Sequence, residues 1–261
     1  MTEQFSDSEL ERYSRQFVLP EWSAAAQSAL RDASVMVIGL GALGSPVATY
    51  LAAAGVGRIG LVDGDVVELS NLHRQPLHFT PDIGVGKADS AAHKLAFLNP
   101  EIELVPYPAH LDENNAAAIL TGASCVVDCT DNLRTRFVLN QACVDAGVPL
   151  VEAGVLGFAG IVQTIIPGQS ACYRCAFPLA DTQEAAPTCR DAGIVGAIAG
   201  VVGSIQALEA IKLITGIGQT LVNTVLSIDG RDMSIRRVAV ARLDDCTACG
   251  SGRVAATEAT V

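Results

Sequence analysis

A chain of 261 residues, half of them hydrophobic and with a mean hydropathy of +0.36, can bury a sizeable core and is not globally disordered. Its formal net charge of −11 and pI near 4.7 exclude a general binder of nucleic acid or anionic membranes, while leaving room for a local basic pocket. The longest apolar stretch, Ala192–Val202, is too short and too rich in Gly and Ala to span a bilayer, and Met1–Asp7 lacks the basic-then-apolar start of a secretory signal. The expectation is a soluble, cytoplasmic protein. In that compartment eight cysteines serve as metal ligands, core residues or reactive thiols rather than as a disulfide framework.

Asp7–Ala33 carries apolar residues at helical spacing, with Ser6 or Asp7 as its cap. Val35–Ile38 is a short apolar run that reads as a buried parallel strand, and Gly39–Gly44 is a turn into a helix over Ser45–Ala54, ended by Gly55. Arg58–Val62 is the next strand, closing on Asp63 and completing a βαβ unit. The alternation continues with a helix over Lys87–Leu98 stopped by Asn99-Pro100, a strand over Ile102–Tyr107 and a helix end at Ala116–Thr121. A strand over Cys125–Cys129, a helix over Leu133–Ala146 closed by Gly147 and a strand over Pro149–Glu152 follow. Such alternation predicts a Rossmann-like, doubly wound, mostly parallel α/β sheet. Beyond Gly154 the texture changes: Gly160–Ile166 and Leu221–Asp229 read as antiparallel strands separated by a Gly/Ala-rich helix over Ile194–Thr215. A polar, mobile loop is expected between Pro178 and Arg190.

Gly39-Leu40-Gly41-Ala42-Leu43-Gly44 matches G-x-G-x-x-G directly after a strand and at the opening of a helix. The glycines let backbone N–H groups approach phosphate, and Asp63 at the end of the next strand can accept hydrogen bonds from ribose hydroxyls. The pattern indicates a nucleotide without choosing among nicotinamide, flavin and ATP; the alternative is a turn needed only for close helix–strand packing. Asn71 and Arg74 follow close behind Asp63, and Lys87 opens the next helix. A bidentate Arg and a point-charge Lys suit β- and γ-phosphates, although each cation taken alone is more often a solvated surface charge. Asp131, just past the Cys125–Cys129 strand, stands where ligands of open α/β sheets bind and suits Mg²⁺; capping the helix that follows is its other use.

Cys172-Tyr173-Arg174-Cys175 and Cys246-Thr247-Ala248-Cys249 are paired C-x-x-C knuckles. Each offers two thiolates to a tetrahedral Zn²⁺, and closing the site requires the C-terminal segment to fold back. Core cysteines or a redox pair are the alternatives. Cys125, Cys129 and Cys143 read as buried apolar residues. Cys189 lies beside Arg190 and before a helix start, which suits a reactive thiol as well as an incidental one. His73, His78, His93 and His110 form no ligand spacing.

Taken in order, Arg12–Gln16, the glycine turn, Leu69–Gln75, Asp128–Asn132, both knuckles and Gln206–Lys212 resemble the ThiF/MoeB/HesA group of ubiquitin-activating-like enzymes over nearly the whole chain. The resemblance implies a homodimer with ATP in each subunit. It has Asp63 on ribose, Gly39, Gly41, Ala42, Gly44, Ser70 and Asn132 around the nucleotide, and Asn71, Arg74 and Lys87 at the phosphates. It also implies Asp131 on Mg²⁺, Arg15 reaching the neighbouring subunit's phosphates, and a structural zinc. Val155–Gly160 and Cys189–Gly196 are more similar to ThiF than to MoeB, and the resemblance to ThiF implies that Cys189 can link covalently to the carrier. The group usually has Gly at Ala42, whose methyl is accommodated if φ is negative.

The implied activity is adenylylation of the C-terminal glycine carboxylate of a small ThiS-like sulfur carrier ending in Gly-Gly, for thiamine thiazole formation. A cysteine desulfurase or other donor would supply the sulfur. A MoeB-like molybdopterin role, an NAD-dependent oxidoreductase and a zinc-stabilised interaction module are the rivals. The expected organisation is an N-terminal helical segment (1–33), a nucleotide-binding part (34–154), a carrier-binding and zinc part of the same domain (155–249) and a disordered tail (250–261).

Overall fold

The computed structural model describes residues 5–178 and 193–250. The opening segment forms three helices, α1 (Asp7–Arg12), α2 (Ser14–Phe17) and α3 (Ala24–Asp32), rather than the continuous helical stretch expected over Asp7–Ala33. Ser6 and Glu9 exchange a capping box at the start of α1, and Ser23 caps α3. Pro20, with no N–H and a fixed φ, stands in the break between α2 and α3.

Next come β1 (Ser34–Ile38), α4 (Gly44–Ala54), β2 (Arg58–Val62), α5 (Lys87–Leu98), β3 (Glu103–Tyr107), α6 (Ala116–Ile119), β4 (Cys125–Asp128) and α7 (Leu133–Ala146). They are followed by β5 (Leu150–Leu156), β6 (Ala159–Ile165), α8 (Tyr173–Ala176), α9 (Gly196–Thr215), β7 (Thr224–Asp229) and β8 (Ser234–Ala239). All eight strands join one sheet in the order β3-β2-β1-β4-β5-β6-β7-β8. The first five run parallel, and β6, β7 and β8 are antiparallel to their neighbours. Left-handed Gly55 and Gly147 end α4 and α7, as read from the sequence.

Single-residue alternation builds two cores, one on each face. Val35 and Val37 of β1, Cys125 and Val127 of β4, and Val151 and Ala153 of β5 share the first core with α4, α5 and α9. Met36, Ile38, Val126 and Leu150 face the second, against α6, α7 and the four knuckle cysteines. Among the described residues, α9 is the one helix long and apolar enough to cross a membrane by length and composition. Here it packs on the sheet and carries two buried polar residues that are fully engaged. Gln206 donates to the Asp128 carbonyl at 2.7 Å and to the Val151 carbonyl at 3.4 Å, joining β4 to β5. Glu209 accepts from Leu221 N–H at 2.7 Å and from Thr164 Oγ1 at 2.5 Å, and pairs with Lys212. The Gln206–Lys212 motif is thus a set of hydrogen-bonded struts on the sheet.

β8 was not expected from the sequence. All but its first residue are exposed, and Arg236-Arg237 break the apolar alternation that marks a half-buried strand. It is held instead by pairing with β7 over six residue pairs. The loop read between Pro178 and Arg190 lies, beyond Pro178, outside the described residues, as do Cys189 and the tail after Gly250.

Candidate active site

The chain leaves β1 toward α4 in one direction and reaches β4 and β5 in the other, so the carboxyl ends of β1 and β4 face a topological switch point. A cavity of about 660 Å³ opens there. Gly39 adopts φ +92°, a left-handed conformation, and a Cβ on it would meet the Cys129 carbonyl oxygen at 2.8 Å. A Cβ on Gly44 would lie 2.0 Å from the Gly39 carbonyl oxygen, so only glycine lets α4 begin there. Leu43, the residue before α4, makes no side-chain cap, but Ser45 donates its N–H to the Gly41 carbonyl at 3.0 Å and Pro46 has none, so the N–H groups that face an anion at the cavity are those of the glycine turn itself. The described non-glycine residues with positive φ are Asn223 and Met233, so Ala42 carries its methyl without backbone strain.

Gly39, Gly41, Ala42, Asp63, Arg74, Lys87, Asp131 and Asn132 all line this cavity. Asp63 accepts the Leu40 N–H at 2.8 Å and the Asp65 N–H at 2.9 Å, tying the end of β2 to the glycine turn. Lys87 is buried at the start of α5, with Nζ 2.8 Å from Asp65 Oδ2 and 3.9 Å from Asp63 Oδ2. Arg74 donates to the Ser70 carbonyl at 2.8 Å. Asp131 is exposed, and the cap of α7 is Asn132, whose Oδ1 accepts the Thr135 N–H at 2.8 Å. The capping use considered for Asp131 therefore falls to its neighbour.

Other candidates stand apart. Ser70 is exposed and donates to Glu68 Oε2, and Asn71 is buried with its Oδ1 on the Glu68 N–H. Neither these two residues nor Gly44 lines the cavity, and Arg15 is exposed on α2, away from the cavity of its own chain.

Beneath the cavity lies a cluster that sequence patterns did not reveal. Arg136 of α7 donates to Glu152 Oε1 at 2.6 Å and to the Thr130 carbonyl at 2.8 Å, through space that Gly154 leaves by lacking a side chain. Asp128 accepts from the Thr130 N–H and hydroxyl through Oδ1, while its buried Oδ2 has no hydrogen-bond partner among the described residues. Burial pushes the Asp128 carboxyl up and raises Glu152 to about 7, against the pull of Arg136. Gln75, the last residue of the Leu69–Gln75 match and given no role there, is buried at the cavity wall, with Nε2 3.4 Å from where a Cβ on Gly41 would stand.

The four knuckle cysteines converge from α8 and the returning C-terminal segment, all buried and with Sγ atoms within 4.8 Å of one another. Cys172–Cys175, Cys172–Cys246 and Cys175–Cys249 sulfur pairs are 3.9, 3.7 and 3.5 Å apart. A tetrahedral zinc with Zn–S bonds of about 2.3 Å requires sulfur pairs about 3.8 Å apart, so the set fits one Zn²⁺. The Leu243 N–H donates to Cys175 Sγ at 3.4 Å and so orients that sulfur. Cys125, Cys129 and Cys143 are buried, and desolvation raises each thiol.

Residues 13–248 match the family model described as the ThiF family. The chain belongs to that family. It is 46% identical over 246 residues to the adenylyltransferase and sulfurtransferase MOCS3 of Mus musculus, covering 94% of this chain and 54% of the relative. This ThiF-family chain thus spans about half the length of the MOCS3 relatives it matches. It is 40% identical over 258 residues to the SAMP-activating enzyme E1 of Haloferax volcanii, covering 99% of this chain and 95% of the relative. The crystal structure of E. coli MccB superposes with a TM-score of 0.84 at 25% identity, covering 97% of this chain and 75% of that one.

Two measurements test the site's chemistry. Metal analysis should find zinc, and stripping it should lower Tm by about 5 °C or more, since each kcal/mol is about 2–4 °C at this size. Metal-free protein that melts unchanged would contradict a structural zinc. Glu152 binds its proton more tightly when folded, so its contribution to stability is full below its ordinary value of 4.5 and is lost as pH rises to about 7. The Glu152→Gln variant should therefore gain on the wild type in paired melts as pH rises through that window; parallel curves would refute the raised value.

Proposed function

We propose that this ThiF-family chain uses ATP to adenylylate the C-terminal glycine carboxylate of a small ubiquitin-like sulfur carrier. The observation that carries the reading is the convergence of the glycine turn, Arg74, Lys87 and Asp131 on one cavity at the switch point. The names of the relatives, an adenylyltransferase and sulfurtransferase and a SAMP-activating enzyme, support it. A dinucleotide cofactor is less well matched: β6 to β8 run antiparallel where a second mononucleotide half needs further parallel strands.

In this reading a carboxylate oxygen of the carrier attacks the α-phosphorus of ATP. The bond from that phosphorus to the oxygen bridging to the β-phosphate breaks, pyrophosphate leaves with the electron pair, and an acyl adenylate forms. A carboxylate is already ionised at neutral pH, so no general base is required. Asp63 orients ribose, while Arg74 and Lys87 offset the repulsion between two anions and the charge on departing pyrophosphate. Asp131, an exposed carboxylate at the cavity, suits Mg²⁺, which when bound would neutralise phosphate charge. Arg15 serves the neighbouring subunit of a homodimer, a role that its exposure away from its own cavity supports. Residues 34–154 form the nucleotide part and residues 155–249 the carrier and zinc part of one domain.

The finer proposal is a ThiS-like carrier in thiamine thiazole formation, supplied by a cysteine desulfurase or other sulfur donor. Neither MOCS3 nor the SAMP-activating enzyme is named for thiamine, and a MoeB-like role toward molybdopterin synthase, with the same chemistry, is the second reading. A cytoplasmic setting belongs to the proposal; the cysteines among the described residues form no disulfide.

Exchange of labelled pyrophosphate into ATP, assayed with a panel of carriers ending in Gly-Gly, tests the reaction and selects the carrier. Arg74→Ala and Asp131→Ala are expected to lower exchange by about 100-fold or more while remaining folded, a loss typical of removing one electrostatic stabiliser. Full activity in both would sink the assignment. Cys189→Ser should keep exchange and lose any covalent carrier adduct seen by mass spectrometry; an unchanged adduct would make Cys189 incidental.

A further inference from the structure

The hydrogen bonds of the glycine turn lead away from the cavity to a residue that no motif singled out. Leu40 is wholly buried, and its backbone is held at two points. Its N–H donates to Asp63 Oδ2 at 2.8 Å, and its carbonyl oxygen lies 2.9 Å from His78 Nε2. A carbonyl only accepts, so Nε2 carries the ring proton. His78 Nδ1 lies 2.8 Å from Ser90 Oγ of α5 and, in the neutral ring, accepts the Ser90 hydroxyl proton. Lys94 Nζ in turn donates to Ser90 Oγ at 2.8 Å and pairs with Asp82. Desolvation chiefly, with Lys94 and Lys87, lowers the imidazole pKa against the opposing pull of the Leu40 carbonyl and Asp63.

The consequence lies on the other side of the peptide. A trans peptide is planar, and its C=O and N–H point in opposite directions. Holding the Leu40 carbonyl on His78 therefore aims the N–H of Gly41 the opposite way. Gly41 lines the cavity, and as a glycine it opposes little steric resistance to a flip of that peptide. A flip would turn a carbonyl oxygen, rather than an N–H, toward an approaching phosphate.

We propose that His78 is a positioning residue for nucleotide binding, which locks the Leu40–Gly41 peptide so that the turn presents N–H groups to phosphate. The inference rests on the ATP reading given above and extends it to a residue remote from the ligand. Lys94 and Ser90 hold the imidazole, and the imidazole holds the peptide.

ATP affinity of purified full-length variants, measured by calorimetry, tests this directly. His78→Leu should weaken ATP binding about tenfold, the equivalent of one lost hydrogen bond. KM for ATP should rise in step, while KM for the carrier and zinc content stay unchanged. His78→Gln, whose amide nitrogen can reach the place of Nε2, should stay within about threefold of wild type, much as retaining one neutral hydrogen bond predicts. Wild-type affinity in a folded His78→Leu, or a Gln variant as weak as Leu, would overturn the inference. Should His78→Leu fail to fold, imidazole nitrogen shifts of the wild type decide by NMR. A neutral Nε2–H ring near neutral pH is required, and an Nδ1–H or doubly protonated ring refutes it. Wild-type protein that binds no ATP would defeat the proposed function, while the tautomer would still report whether His78 holds the Leu40 carbonyl.

Discussion

The structure turns on one close approach, that of Gly44 to Gly39. With the place of a Gly44 Cβ only 2.0 Å from the Gly39 carbonyl oxygen, α4 begins directly against the end of β1. Any side chain would push the helix outward and pull the glycine turn away from the gap between β1 and β4. Gly39 meets the matching constraint from the other side, since its missing Cβ makes room for the Cys129 carbonyl at the end of β4. The two glycines thus bring a helix terminus, two strand ends and a cavity into register.

Electrostatics then divides the site into an open half and a buried half. Lys87 and Arg74 hold positive charge at the wall in a chain whose formal net charge is −11. Lys87 is oriented by Asp65 and Asp63, so a desolvated cation is available without being stranded. Beneath, Arg136 anchors the Thr130 carbonyl and Glu152, and thereby the loop that carries Asp131. Two buried carboxylates beside one guanidinium favour retention of a proton by the cluster, the same burial effect that raises Glu152. Rigidity in the buried half and exposed charge in the open half suit a reaction that depends on orientation and screening rather than on proton abstraction.

The second half of the chain is attached by two different means. Gln206 and Glu209 brace α9 against β4, β5 and the segment that precedes β7 through backbone carbonyls and an N–H. The four cysteines close the other face, where the returning C-terminal segment meets α8. The antiparallel strands between them present a solvated surface on β8 rather than a third core.

Much of this was legible in local pattern. The strand Arg58–Val62 and the helices Lys87–Leu98 and Leu133–Ala146 fall where apolar runs, caps and terminating glycine or proline put them. The glycine turn, Asp63, Arg74, Lys87 and Asp131 could be singled out because chemistry at strand ends leaves a compact signature. The knuckles were legible because C-x-x-C spacing lets two thiolates reach one tetrahedral ion. These features depend on neighbours within a few residues, and the order of amino acids determines them directly.

Tertiary structure alone decided what depends on distant residues. His78 gives no spacing signal, since its partners Leu40 and Ser90 are 38 and 12 positions away and one of them is a backbone carbonyl. Arg136, Glu152 and Asp128 come from a helix and two strands, and only the crossing of α7 over β4 and β5 makes them one cluster. β8 exists because β7 offers it a pairing edge, not because its residues alternate. Which of Asp131 and Asn132 caps α7 was likewise open in the sequence. Local periodicity specifies elements and short motifs, whereas burial and hydrogen-bond satisfaction are properties of the assembled fold.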